Sequence, residues 1–247
     1  MADGRVALVT GANSGIGFAI AERLVADGYA LAFATRDRND EELYGQLAER
    51  GRVEWIVGDL ADPDVPPRLV EQTVAALGRL DVLVNNAGIT MSKPVLELTA
   101  GDFDDVFSVD VRGAFLCSQA AARAMGKEGG VIVNITSVHE QVPRPGFALY
   151  APAKAALGML TRSLALELAP SIRVVSVAPG AIATPRNVEA DELRPEIPLQ
   201  RPGKPEEVAA CVAWLVSDQA SYVTGASYLI DGGLAQQVFD HSPASPP

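Results

Sequence analysis

Tyr150 and Lys154 stand four residues apart, and Ser137 lies thirteen residues before the tyrosine at the end of an apolar run. On a helix, residues i and i+4 share a face, so this spacing sets the Lys154 ammonium beside the Tyr150 phenol and favours the ionised phenol. A free phenol titrates near ~10, too high for efficient proton exchange at neutral pH, and a neighbouring cation supplies the correction. A phenol so placed trades protons with an alcohol or a carbonyl.

The elements that must hold these groups are legible as a rhythm. Short β-branched runs at Val6 to Thr10, Ala30 to Thr35, Val53 to Val57, Val82 to Asn85, Val131 to Thr136, Val174 to Ala178 and Ser227 to Ile230 alternate with helix-length amphipathic segments. That βαβ alternation predicts an α/β fold with a largely parallel sheet and helices on both faces. Thr99 with Asp102 reads as a capping box, Pro205 with Glu206 and Glu207 as a helix start, and Gly78 as a helix end. The longest irregular segment, Pro179 to about Pro205, has the length of a lid over a bound substrate, or of a long surface loop.

At 247 residues and 48% hydrophobic, the chain can bury one substantial core, so one domain is expected over residues 1–240 with a frayed tail at 241–247. A net charge of −11 repels phosphate backbones and no Lys/Arg stripe relieves it, which excludes nucleic acid as the expected partner. The apolar runs are strand-length, too short to span a membrane, and Asp3 and Arg5 interrupt the start of the chain where a signal peptide needs apolar residues. A cytoplasmic location is expected. Cys117 and Cys211 fall inside helical patterns, in neither a metal-ligand nor a Cys-x-x-Cys spacing, and read as reduced thiols; no metal is expected.

Directly after the first strand comes Thr10-Gly11-Ala12-Asn13-Ser14-Gly15-Ile16-Gly17, followed by a helix from Phe18 to Ala26. Glycines there let the backbone turn sharply and approach a pyrophosphate, whose charge a helix N-terminus stabilises. No Gly-Lys-Ser/Thr follows, which excludes a triphosphate P-loop. Asp59-Leu60 at the end of the third strand offers a carboxylate for an adenine amino group, and Asn86-Ala87-Gly88 closes the fourth strand beside the expected crevice.

With these motifs in order, and with Pro179-Gly180 after the sixth strand, the chain resembles the short-chain dehydrogenase/reductase family over nearly its whole length. The resemblance implies a single Rossmann-like domain, a doubly wound parallel sheet of about seven strands that binds NAD(P). It also implies a homotetramer assembled through helices here at about Gly101 to Ala124 and Pro152 to Leu168. In the family reading Tyr150 is the general acid/base, Ser137 hydrogen-bonds the substrate oxygen, and Lys154 tunes the tyrosine while contacting the nicotinamide ribose. The cofactor positions it implies are Gly11, Asn13, Ser14, Gly15, Ile16, Gly17, Asp59, Leu60, Asn86, Ala87, Gly88, Tyr150, Lys154, Pro179, Gly180, Ile182 and Thr184.

A ribose 2′-hydroxyl is best met by a carboxylate at the end of the second strand, and a 2′-phosphate by an arginine. The family's acidic position falls on Thr35 and Arg36 comes next, which favours NADP; Asp37, two residues on, is the argument for NAD. Two departures stand out. Asp110 occupies the place of an asparagine that, in the family, helps hold a water for the lysine's proton relay largely through its main-chain carbonyl; a carboxylate keeps that carbonyl but brings a charge that alters the pH profile. Pro152 sits between Tyr150 and Lys154, a place tolerated only in a first helical turn.

The segment Ser137-Val138-His139-Glu140-Gln141-Val142-Pro143 and the later Ala181 to Pro185 look like the sugar-oxidising branch, particularly bacterial glucose 1-dehydrogenases. His139 is then a contact for a polyol hydroxyl, or else a solvated loop histidine. A 3-ketoacyl thioester reductase shares the core motifs, although few basic residues near the lid favour an acidic carrier protein. A non-catalytic redox sensor would need neither Tyr150 nor Lys154, and this chain has both.

Overall fold

All seven apolar runs form strands of one parallel sheet in the computed structural model, which describes residues 4–185, 187 and 190–236. The strands are β1 (Val6–Thr10), β2 (Ala30–Thr35), β3 (Val53–Val57), β4 (Val82–Asn85), β5 (Gly130–Ile135), β6 (Ile172–Pro179) and β7 (Ser227–Ile230), ordered β3-β2-β1-β4-β5-β6-β7. The helices between them are α1 (Gly15–Ala26), α2 (Glu41–Ala48), α3 (Val65–Leu77), α4 (Ala100–Phe107), α5 (Ala114–Met125), α6 (Tyr150–Leu168) and α7 (Pro205–Val216). The tail expected to fray lies outside the described residues.

Strand side chains alternate between two cores. Ala7 and Val9 of β1 pack with Ile20, Leu24 and Val212 beneath α1 and α7, while Val6 and Leu8 pack with Leu69, Cys117 and Leu164 beneath α3, α5 and α6. Both faces being covered, the central strands are buried end to end, which is why their sequences read as continuous apolar runs rather than as alternation.

Chain order reverses at β1, which pairs with β2 on one side and β4 on the other. At such a switch point the connections leave in opposite directions and open a crevice at the strands' C-terminal ends. All the chemistry-bearing motifs sit there.

Three boundaries differ from the pattern reading. Helix α1 starts at Gly15 rather than Phe18, taking in the last two glycines of the loop. Helix α6 starts at Tyr150, placing Pro152 in the first turn where its missing N–H costs nothing. The segment read as one helix from Gly101 to Ala124 is α4 and α5 joined by a π-helical turn at Ser108–Gly113. The long segment after β6 is not bare loop: Ile182 bridges Gly203, and Arg194–Glu196 makes a 3₁₀ turn.

Candidate active site

A cleft of about 1130 Å³ runs along the C-terminal ends of the strands, and the glycine loop, Ser137, His139, Tyr150 and Lys154 all line it. At one end Thr10, the last residue of β1, ties the floor together. Its hydroxyl accepts from the N–H groups of Asn86 and Ala87, 3.1 Å each, and the Asn86 amide donates to the carbonyls of Thr10 and Gly11 at 3.0 Å. Gly17 has no alternative there, since a Cβ would fall 2.2 Å from the Gly11 carbonyl oxygen. Ser14 caps α1 with no side-chain hydrogen bond, so the unsatisfied N–H groups of the first turn are open to an anion. The Asn13 side-chain amide donates a hydrogen bond to the Asp40 carboxylate at 2.8 Å.

Beyond the glycine loop, Thr35 closes β2 and pins the next turn: its hydroxyl donates to the Asp37 carbonyl at 2.6 Å and accepts from the Trp55 indole at 2.7 Å. Arg36 projects from that turn into the cleft, its side chain 76% exposed and 3.7 Å from Asp37. Thr35 is thus spent on structure, and Arg36, with Asp37 beside it, brings charge to this end of the cleft. Asp59, whose carboxylate accepts from Ala61 N–H at 2.9 Å, and Leu60 form the wall opposite. Pro179, Gly180, Ile182 and Thr184 close the cleft from the β6 side, with Thr184 packed on Gly15.

At the other end, Ser137 is buried after β5 and its hydroxyl accepts from the His139 N–H at 3.2 Å. The His139 ring stacks on Phe147 with centroids 5.0 Å apart and meets Tyr150 edge-on at 6.0 Å. Its Nδ1 lies 2.9 Å from the Val142 carbonyl. A carbonyl only accepts, so the neutral ring carries its proton on Nδ1 and keeps Nε2 as an acceptor.

Lys154 lies 5.5 Å from the Tyr150 ring centroid, donates to the Ile135 carbonyl at 3.2 Å, and pairs with Asp110 Oδ2 at 3.0 Å. Burial pulls this ammonium down, but Asp110 and then Tyr150 outweigh it and hold the group above the ordinary lysine value. Asp110 itself is fully buried behind the cleft. It engages Lys154 through its side chain, whereas the family role expected at this position runs through the main-chain carbonyl; the π turn places that side chain under Gly88.

The residues present fit a dinucleotide: a glycine floor that permits close backbone approach, helix N–H groups for a pyrophosphate and Arg36 for a 2′-phosphate. Reading the sequence missed Thr10 as the tie between β1 and β4, and missed the buried amide network in which Asn85 donates to Asn134 at 2.8 Å and Asn134 to Thr161 at 2.9 Å. An asparagine inside the apolar run Val131 to Ile135 was its signal. Phe147 and Arg144 also line the substrate end, and nothing in their spacing marks them.

A family profile described as enoyl-(acyl carrier protein) reductase matches residues 11–235. The chain belongs to the short-chain dehydrogenase/reductase family. Among relatives, glucose 1-dehydrogenase 2 of Bacillus subtilis is 39% identical over 94% of this chain and 95% of its own. The structure of acetoin dehydrogenase from Enterobacter cloacae is 44% identical, covers 98% of this chain and 100% of its own, and superposes with a TM-score of 0.91. A blue fluorescent protein from a metagenomic library, solved in complex with NADPH, is 39% identical with a TM-score of 0.89 over 95% of this chain and 99% of its own. A 3-ketoacyl-(acyl carrier protein) reductase from Brucella melitensis, solved with NADH, is 33% identical with a TM-score of 0.89 over 95% of this chain and 100% of its own. This member of the family is therefore an oxidoreductase with the family's seven-stranded sheet.

Proposed function

We propose that the chain interconverts a secondary alcohol and its carbonyl, with Tyr150 as general acid/base, Ser137 holding the reacting oxygen and Lys154 stabilising the phenolate. The observation that carries this reading is that Tyr150, Lys154 and Ser137 share one cleft with the glycine loop. When bound, a nicotinamide cofactor supplies or accepts the hydride. Gly11 to Gly17 would hold its pyrophosphate, Arg36 a 2′-phosphate, Asp59 the adenine, and Asn86 to Gly88 with Pro179 to Thr184 the nicotinamide half; NADP is preferred over NAD on the strength of Arg36. In the oxidising direction the phenolate takes the hydroxyl proton, and in the reducing direction the phenol returns it.

Substrates with a second hydroxyl beside the reacting carbon suit the site. His139 Nε2 accepts from such a hydroxyl; sugars carry one, and so do acyloins reduced at their carbonyl, in keeping with the glucose and acetoin dehydrogenases among the relatives. The 3-ketoacyl-(acyl carrier protein) reductase of Brucella melitensis among the similar structures favours a second reading, a 3-ketoacyl thioester reductase. A chain charge of −11 opposes docking of an acidic carrier. We further place the protein in the cytoplasm as a homotetramer. No described helix is long and apolar enough to cross a membrane.

Tyr150→Phe tests the chemistry. Turnover should drop on the order of 10²–10⁴-fold, while NADPH binding, followed by its fluorescence, stays intact. Residual activity within about tenfold of wild type removes Tyr150 from proton transfer. Wild type that binds NADPH but turns over none of a panel of sugars, acyloins, secondary alcohols and ketoacyl thioesters is a sensor.

A further inference from the structure

Outside the residues that touch a ligand, one charged group stands apart. Asp110 is fully buried, its side chain 0% exposed against 5% for Lys154, and it does not reach the cleft. One oxygen, Oδ1, accepts from the Ile89 N–H at 2.7 Å; the other, Oδ2, lies 3.0 Å from the Lys154 ammonium. Gly88 leaves the space this pair needs, since a Cβ there would fall 2.9 Å from Oδ2 and 3.1 Å from the lysine nitrogen. The pair is buried, and its carboxylate is carried on a π turn, a distortion a helix keeps at a cost.

We infer that Asp110 is a positioning residue that acts through Lys154: its carboxylate cancels part of the ammonium's charge as felt at Tyr150 and so sets the pH range in which the phenol works. This rests on Tyr150 being the acid/base. A lone buried ammonium stabilises a nearby phenolate as a full positive charge; with a carboxylate 3.0 Å behind it, the phenolate meets a dipole, whose field falls off faster. Other ionisable groups belong to the elements around the pair. On its own helix there is Tyr150; after β5 there are His139, engaged with Val142, and Glu140, which accepts from Ser227; on the cleft wall there are Asp105 of α4 and Arg144, the latter over Phe147. The loop after β4 adds only main-chain groups, at Gly88 and Ile89.

Two neutral replacements of different shape, Asp110→Asn and Asp110→Ser, separate charge from packing. Each should move the acid limb of the pH profile for alcohol oxidation to lower pH, by on the order of one pH unit. The same shift should appear, without cofactor or substrate, in the phenolate absorbance titration of the folded protein, with the Tyr150 signal isolated by subtracting Tyr150→Phe. Circular dichroism confirms folding, and a thermal melt records whatever the lost acceptor costs. Shifts of like sign and size in both variants support the inference. No shift, an upward shift, or a shift in one variant alone overturns it. The titration reports even if Tyr150→Phe retains turnover, so failure of the reaction assignment and failure of the Asp110 role are told apart.

Discussion

The proposed preference for NADP rests on a single side chain. Arg36 leaves the end of β2 with nothing but a loose contact to Asp37, whereas Thr35, at the family's acidic position, has its hydroxyl occupied by Trp55 and the Asp37 carbonyl. Removing the guanidinium takes away the fork that grips a 2′-phosphate and leaves the adenine and pyrophosphate contacts alone. Arg36→Ala should therefore raise KM for NADP by at least about tenfold, the loss of one charge-assisted hydrogen-bond pair, with little change for NAD. Equal effects in steady-state assays with both cofactors would show that Arg36 is only a surface charge. At the substrate end, His139→Phe keeps the stack on Phe147 and deletes the Nε2 acceptor. It should raise KM for vicinal diols and acyloins, with simple secondary alcohols unaffected, a comparison that reads the acceptor directly. The Tyr150–Lys154 relation was legible beforehand because a helix converts a spacing of four into a shared face. The Lys154–Asp110 pair was not, because forty-four residues separate the partners and a fold must bring them together.

At the scale of elements, local punctuation was the reliable signal. Thr99 and Asp102 form the expected capping box, the Thr99 hydroxyl accepting from Asp102 N–H at 3.1 Å and the Asp102 carboxylate from Thr99 N–H at 2.8 Å. Gly78 ends α3 in the left-handed region, φ +92°. These signals act within a few residues, so sequence contains them whole. The π turn between α4 and α5 was hidden for the opposite reason: apolar periodicity runs on through Ser108–Gly113, and only the wider i→i+5 backbone hydrogen bonding reveals the extra residue. Replacing the cap, Thr99→Ala, should cost about 1 kcal/mol and lower the thermal midpoint by roughly 2–4 °C. Lys93 first, and Thr99 after it, hold the Asp102 carboxyl down from 3.8 to about 2. A depressed folded value means stabilisation that is complete above the unfolded value and lost as pH falls through the folded one. Melts of wild type should thus weaken between pH 3.8 and about 2, and Asp102→Asn should flatten that part of the curve. An unchanged slope in the variant would show that other carboxylates carry the acid limb.

For the whole molecule, the alternation of seven runs with helical segments was enough to predict the sheet, because parallel strands require crossovers and both sheet faces then need cover. What the pattern could not separate was helix surface meant for the core from helix surface meant for another copy, since both are rich in Ala and Leu. Exposure shows which apolar side chains the core leaves uncovered: Phe103 of α4, Phe115 of α5, and Met159 and Leu166 of α6 remain open to solvent, Leu166 at 85%. These are the two helical segments through which the family resemblance implies assembly. Large apolar side chains left exposed on both are a cost in a monomer and a driving force in an oligomer. Light scattering coupled to size exclusion should give wild type a mass four times that of the 25.9 kDa chain. The double variant Met159→Glu, Leu166→Glu puts paired carboxylates on a face that symmetry brings against itself, so like charges meet at the interface and the mass should fall to that of a dimer or less. A wild-type mass equal to one chain, or a double variant that stays tetrameric, would place the assembly surface elsewhere. Turnover by the dissociated form would show that the cleft, lined by residues of one chain, does not need its neighbours.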